Sequence, residues 1–171
     1  GPASTVPAVD DLYKNVLVET GHIGFSRITT NPIATTTGDG QVWNWIDYDN
    51  DGDLDAYRTN WGGGSAVLRP NQLFRNDGGT YTRILTGAIV TDVRISLSQV
   101  WADYDNDGDI DCFVANDGGA PDSYYQNNSD GTFTSITSGD IVSPGVSGHY
   151  GATAGDYDND GDLDLFVAGQ A

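Results

Sequence analysis

The sequence predicts an all-β protein made of three blade-equivalents, each of four antiparallel strands. Two observations carry this reading. A nonapeptide recurs as DYDNDGDLD at 47–55, DYDNDGDID at 103–111 and DYDNDGDLD at 156–164, with starts 56 and 53 positions apart, and a period near 50 residues is the length of one propeller blade. Around each copy lie short aromatic and β-branched runs punctuated by Gly, Asn and Asp. These are strand and hairpin signals, and no stretch sustains a helical period.

In chain order, the segments 12–15 (LYKN) and 25–28 (FSRI) match the hairpin that closes a unit, which places a half blade at about 10–33. A whole blade at about 41–89 follows, with strands before and after the first acidic loop and a hairpin at 72–84 turning on Asp77-Gly78-Gly79. Within it, the stretch from Trp61 to Pro70, containing Gly62-Gly63-Gly64-Ser65, reads as an inserted surface loop. A second whole blade at about 97–141 repeats the plan, with its hairpin turning at 128–131. The segment at about 149–169 supplies only the first two strands of a blade. The reading is therefore two whole units flanked by complementary halves.

Composition bounds the function. The 171 residues suffice for one domain with a core. Seven Lys and Arg face 25 Asp and Glu, a net charge of −18, so nucleic acid and anionic membranes are repelled and drop out as direct partners. No apolar run approaches the roughly 18 residues of a membrane span. One Cys leaves no intramolecular disulfide and no Cys-based zinc site. Gly1-Pro2 reads as a tag-cleavage scar, so a leader is expected to have been removed.

Fifteen of the 25 acidic residues lie in the three nonapeptides. Alternate carboxylates on a tight loop can converge on a hard cation that takes six to eight oxygens, and Ca²⁺ is that cation. The expected carboxylate ligands are Asp47, Asp49, Asp51 and Asp55, with Gly52 permitting the turn. Asp53 is expected to ligate through its backbone carbonyl, its side chain adding charge or an outer contact. The same roles fall to Asp103, Asp105, Asp107, Asp109 and Asp111, and to Asp156, Asp158, Asp160, Asp162 and Asp164. Three Ca²⁺ ions per chain follow. An EF-hand is rejected, because its twelfth loop position needs Glu and here holds Arg58, Val114 or Val167.

The blocks WNWIDYDNDGDLDAYRTN, VWADYDNDGDIDCFVAN and TAGDYDNDGDLDLFVAG, paired with NQLFRNDGGTYTRI or SYYQNNSDGTFTSI, resemble the FG-GAP/VCBS repeat family. The resemblance implies β-propeller blades, each with a calcium loop between its first two strands, as in integrin α-subunit heads. It implies an extracellular or cell-surface setting and narrows function little, since the family includes adhesins, lectins and non-catalytic domains of secreted enzymes. Blade number departs from the pattern, because closed propellers have four to eight.

The remaining residues have plainer expectations. Cys112 takes the slot of Ala56 and Leu165, that of a small buried hydrophobe. Trp45 and Trp101 share one slot, filled by Ala154 in the third copy, and are expected to pack near the blade hub. Trp43 and Trp61 fall outside the repeat consensus and are the candidate ligand-binding residues, Trp61 as a platform for a sugar ring. His22 and His149 stand alone, and no nucleophile–His–acid arrangement is visible. The expected function is a non-catalytic, calcium-binding module for adhesion or for recognition of glycan or protein. The alternatives are a part of a secreted polysaccharide-degrading enzyme and a purely architectural propeller fragment. For assembly, the half blades are expected to pair between two chains, giving a head-to-tail homodimer with six blades. The competing expectation is that missing blades of a longer chain complete the ring.

Overall fold

Each acidic loop joins two antiparallel strands, as the flanking apolar runs require. The computed structural model describes residues 9–62, 68–142 and 148–169. Gly1-Pro2 and most of the glycine-rich insertion, residues 63–67, lie outside them.

The strands are β1 (Leu12–Asn15), β2 (Phe25–Ile28), β3 (Gly40–Ile46), β4 (Asp55–Asn60), β5 (Gln72–Asp77), β6 (Thr80–Ile84), β7 (Ile95–Ala102), β8 (Asp111–Asp117), β9 (Ser123–Asn127), β10 (Phe133–Ile136), β11 (His149–Gly155) and β12 (Asp164–Gly169). They form two four-stranded antiparallel sheets, β3-β4-β5-β6 and β7-β8-β9-β10, and two two-stranded sheets, β1-β2 and β11-β12. The protein is all-β, with sheets of propeller-blade type. Among the described residues the sheets do not close into a ring. Strand β7 lies against β3 and β4, and β11 against β7 and β8, so successive sheets stack through their first strands.

Among the described residues three one-turn α-helices, α1 (Leu17–Thr20), α2 (Pro32–Thr35) and α3 (Ala88–Thr91), and a 3₁₀ turn at Asp140–Val142 punctuate the strands. Sequence reading did not resolve them, because four residues are too few to display a period. Two of them serve as plugs. Asn31 caps α2, its side chain accepting from Ile33 N, and Ile33 is buried against Ala56 and Phe74. Ile89 of α3 is buried against the main core. Each plug removes an aliphatic side chain from water, which contributes about 1.5–3 kcal/mol.

The main core lies between the two full sheets and comprises Ile46, Tyr48, Tyr57, Leu73, Ile89, Val90, Cys112, Val114 and Tyr125. Strand β4 is buried at all six positions, including Arg58. A buried guanidinium needs partners. Arg58 Nη2 donates to Asn60 Oδ1 at 2.9 Å, and Nη1 lies 3.1 Å from Asp10 Oδ2. The Trp43 indole donates to the same Asp10 oxygen at 2.8 Å, and Val9 bridges to Thr37. The segment ahead of β1 is thereby clasped to the first full sheet.

Candidate metal centres

A loop carrying five carboxylates in nine residues must turn sharply and keep like charges apart. The turn comes from two successive departures into the left-handed region. Asn50, Asn106 and Asn159 have φ of 56°, 58° and 61°, and Gly52, Gly108 and Gly161 have φ of 90°, 96° and 100°. Asn tolerates that region through its short polar side chain and Gly through its lack of one.

Backbone donors then hold the acids in place. Gly52 N, Gly108 N and Gly161 N each donate to the first Asp of their loop, Asp47, Asp103 and Asp156, at 3.0–3.1 Å. Asp53 N, Asp109 N and Asp162 N donate back to Asp51, Asp107 and Asp160 at 2.8–3.0 Å. The ninth residue is anchored differently. Asp55 accepts from Tyr48 N at 3.1 Å and from Asn76 N of β5 at 2.7 Å. Asp111 accepts from Tyr104 N, from Asn127 N of β9 and from the Tyr124 hydroxyl. Asp164 accepts from Tyr157 N alone among the described residues.

These constraints bring carboxylate oxygens within 4.8 Å of one another in each loop: Asp47, Asp49 and Asp55; Asp103, Asp105 and Asp107; Asp156, Asp158 and Asp164. The membership differs from the sequence expectation in detail. Asp51 and Asp160 stand outside their clusters. In the second loop Asp107 joins the cluster, and Asp111 is taken up by the Tyr124 hydroxyl at 2.7 Å. Asp53, Asp109 and Asp162 belong to no cluster. Asp53 Oδ2 accepts from Gly78 N at 2.7 Å, and Asp109 accepts from Ser129 Oγ.

The donor set suits a hard cation, being carboxylate oxygen throughout, without sulfur or nitrogen. In the first loop, Asp47 Oδ1 and Asp49 Oδ1 are buried and have no hydrogen-bond partner. A buried carboxylate oxygen without a donor carries a large desolvation cost, and a cation among these oxygens removes it.

A family model for an FG-GAP-like repeat matches residues 47–114 and again 103–167. The chain belongs to the FG-GAP-like repeat family. Each matched stretch runs from one acidic loop through the next, so the repeat unit contains the strands that present the cluster. No curated protein matches the chain.

Electrostatics in these FG-GAP-like loops follow from their crowding. Burial pushes the Asp55 carboxyl up to about 6. Burial and then the neighbouring Asp51 raise Asp49, and burial raises Asp111. A carboxyl withdrawn from water beside like charges resists ionisation unless a cation offsets it.

Sequence reasoning missed the contacts between loops. Asn50 Nδ2 donates to Asp109 Oδ1, and Asn106 Nδ2 donates to Asp162 Oδ1 at 2.6 Å. The signal was present as an Asn at the fourth position of all three FG-GAP-like loops. It also missed His149, whose Nδ1 pairs with Asp122 Oδ2 and so ties β11 to the sheet before it. Of the two candidate ligand-binding tryptophans, Trp61 is 40% exposed just after β4. Trp43 is held by Asp10, lies 5.9 Å from the Phe74 ring and has Arg58 5.6 Å from its own centroid. Of the two expected hub residues, Trp101 packs on Tyr57 and Phe133, whereas Trp45 is 48% exposed.

Proposed function

We propose that this chain is a calcium-binding extracellular propeller module that recognises a glycan or protein ligand and performs no catalysis. The observation that carries the reading is the convergence of three Asp clusters, one per loop, with two buried oxygens in the first that lack any donor. Membership of the FG-GAP-like repeat family supports it. Calcium would be held by Asp47, Asp49 and Asp55, by Asp103, Asp105 and Asp107, and by Asp156, Asp158 and Asp164, with backbone carbonyls and water completing the shell. Bound there, it supplies positive charge and a rigid link between the two strands that each loop joins. The chain's own residues do the rest: the Asn and Gly turns aim the acids, and the strand amides fix them.

Recognition belongs to the surface between strands, where Trp61 offers an exposed aromatic face of the kind that stacks on sugars. The sheets act as blades of a ring that further sheet material completes. The decisive experiment is calorimetric titration of calcium into chelator-treated protein. Three equivalents per chain are expected, and an absence of binding ends the reading. Screening the calcium-loaded protein on a glycan array then separates a recognition module from a purely architectural one.

A further inference from the structure

Equivalent positions of the four sheets differ sharply in exposure. Tyr57 and Phe113 of the full sheets are wholly buried, while Phe166, at the same position of β12, is 71% exposed. Phe74 and Tyr125 are 1% exposed, while Tyr13, at their position in β1, is 53% exposed. What the full sheets bury, the two-stranded sheets present to solvent, one presenting the first strand pair of a blade and the other the second.

We infer that the edges of β12 and β1, unpaired among the described residues, are complementary, and that two copies of this chain pair head to tail through them, completing a ring of six blades. The inference rests on the propeller and calcium reading above, and commits it to one partner, a second copy of this chain.

Register is the first support. In β5-β6, Leu73 faces Ile84, Phe74 faces Arg83 and Asn76 faces Tyr81. In β1-β2, Leu12 faces Ile28, Tyr13 faces Arg27 and Asn15 faces Phe25. The equivalence extends outward, since the Pro70–Val93 bridge has its counterpart in Val9–Thr37. The hairpin β1-β2 is therefore built as the outer half of a blade, and the residues just ahead of it, Val9 and Asp10, are tied to Thr37 and to Trp43 and Arg58 of the first full sheet.

The second support is a missing bond on each side. Asn76 N and Asn127 N reach back to Asp55 and Asp111, the last acids of their loops. Their side-chain amides also donate to the Leu54 and Ile110 carbonyls. Asp164 lacks that support among the described residues. Asn15 holds the matching position at the end of β1, and its side chain already makes the matching turn contact, accepting from Leu17 N as Asn127 accepts from Ser129 N. Docking β1 of one copy on β12 of the other puts Asn15 N on Asp164, so the partner copy completes the third acidic loop.

The third support lies between sheets. Trp101 meets Tyr57 of the preceding sheet edge to face at 5.2 Å. Trp45, the equivalent of Trp101, meets Tyr81 of its own sheet at 6.1 Å but no ring of a preceding sheet among the described residues, and it stays exposed. Phe166 of the second copy fills the Tyr57 position exactly one sheet before it. Lys14, paired with Glu19 in the single chain, takes the position of Gln126, which donates to Asp105, and on docking would exchange that partner for the acids of the third loop.

For the 171-residue chain by itself, closure of β12 on β1 would make a ring of three blades, below the four to eight that pack. Two copies give six, and a heterologous contact that closes by symmetry stops there.

Light scattering on the 171-residue chain in saturating calcium tests this. The expected mass is about 36 kDa, twice that of the 18.1 kDa chain, and a monomer or any larger closed species overturns the two-copy ring. Tyr13→Asp and Phe166→Asp change residues exposed in the single chain, and each alone is expected to give monomer with the circular dichroism of the parent retained. Mixing the two variants leaves one intact β12–β1 junction and is expected to restore a species of twice the monomer mass. Failure of the mixture to associate excludes head-to-tail pairing. Calcium titration on the same samples separates the two claims: binding without association removes only the dimer, whereas no binding removes the calcium reading itself.

Discussion

Asn106 and Asp162 join two acidic loops across a sheet boundary, the Asn106 amide donating to the Asp162 carboxylate at 2.6 Å. Asn50 and Asp109 make the same link one loop earlier. Each loop is thus fastened to the next through the acid at the seventh loop position, which joins no cluster in any of the three loops. Asn106→Gly keeps the left-handed backbone and removes the amide. A hydrogen bond to a charged group contributes about 1.5–3 kcal/mol, and about 1 kcal/mol shifts the melt of a chain this size by roughly 2–4 °C. The expected outcome is a melt several degrees lower in calcium, read by differential scanning calorimetry. An unchanged melt counts against the link.

Calcium removal should be the largest single perturbation. A ligand that binds only the folded state stabilises it by about 2.7 kcal/mol per site at a hundredfold excess over Kd. Melting in chelator, with metal loss verified by elemental analysis, is expected to fall far below melting in calcium. Equal midpoints would show that the loops hold themselves together.

Asp49→Asn tests one site alone. Asp49 Oδ1 is buried without a donor, so its charge has no purpose in a metal-free loop. At least a tenfold loss of affinity, about 1.4 kcal/mol, is expected at one of three calorimetric sites, with the other two unchanged.

Gly40→Ala probes the clasp at the first full sheet. A methyl at Gly40 would land on Arg58 Nε and 2.7 Å from Asp10 Oδ2. Arg58 is wholly buried and cannot swing away. Overpacking of this kind costs about 1–3 kcal/mol, measurable by urea denaturation. Full stability in the variant would mean that the guanidinium is free to move.

Cys112 is fully buried, and burial raises its thiol well above the usual range. The native protein is expected to resist a thiol reagent until denatured. Cys112→Ala should be tolerated, because Ala56 fills the same position of the first full sheet at 1% exposure. Rapid labelling of the folded chain would contradict this packing.

Trp61→Ala addresses recognition. The ring is partly exposed, so its loss should weaken ligand binding on the array while leaving the melt in place. Undiminished binding would return Trp61 to a packing role.

Much of this architecture is written in local sequence. The alternation of aromatic and β-branched runs with Asp-Gly turns marks strands without tertiary help, and the repeated nonapeptide marks the loops. The missing parts depend on partners distant in the chain. Arg58 aligns with Val114 and Val167, and nothing local announces that Asp10 neutralises it 48 positions earlier. Which acids converge was only partly legible, because Tyr124 draws Asp111 aside in the second loop while Asp55 stays with its cluster in the first. Trp45 and Trp101 share a motif yet differ in exposure, since burial there depends on the neighbouring sheet.

The loop-to-loop bonds run in one direction only, from the Asn of one loop to the acid of the next. A gene duplication that inserted one more unit of 53–56 residues would therefore meet a ready acceptor ahead of it and a ready donor behind it, creating no new kind of junction. Such an array can lengthen or shorten by whole units during evolution while every internal contact is preserved, so blade number is free to drift where side-chain identity in the loops is not.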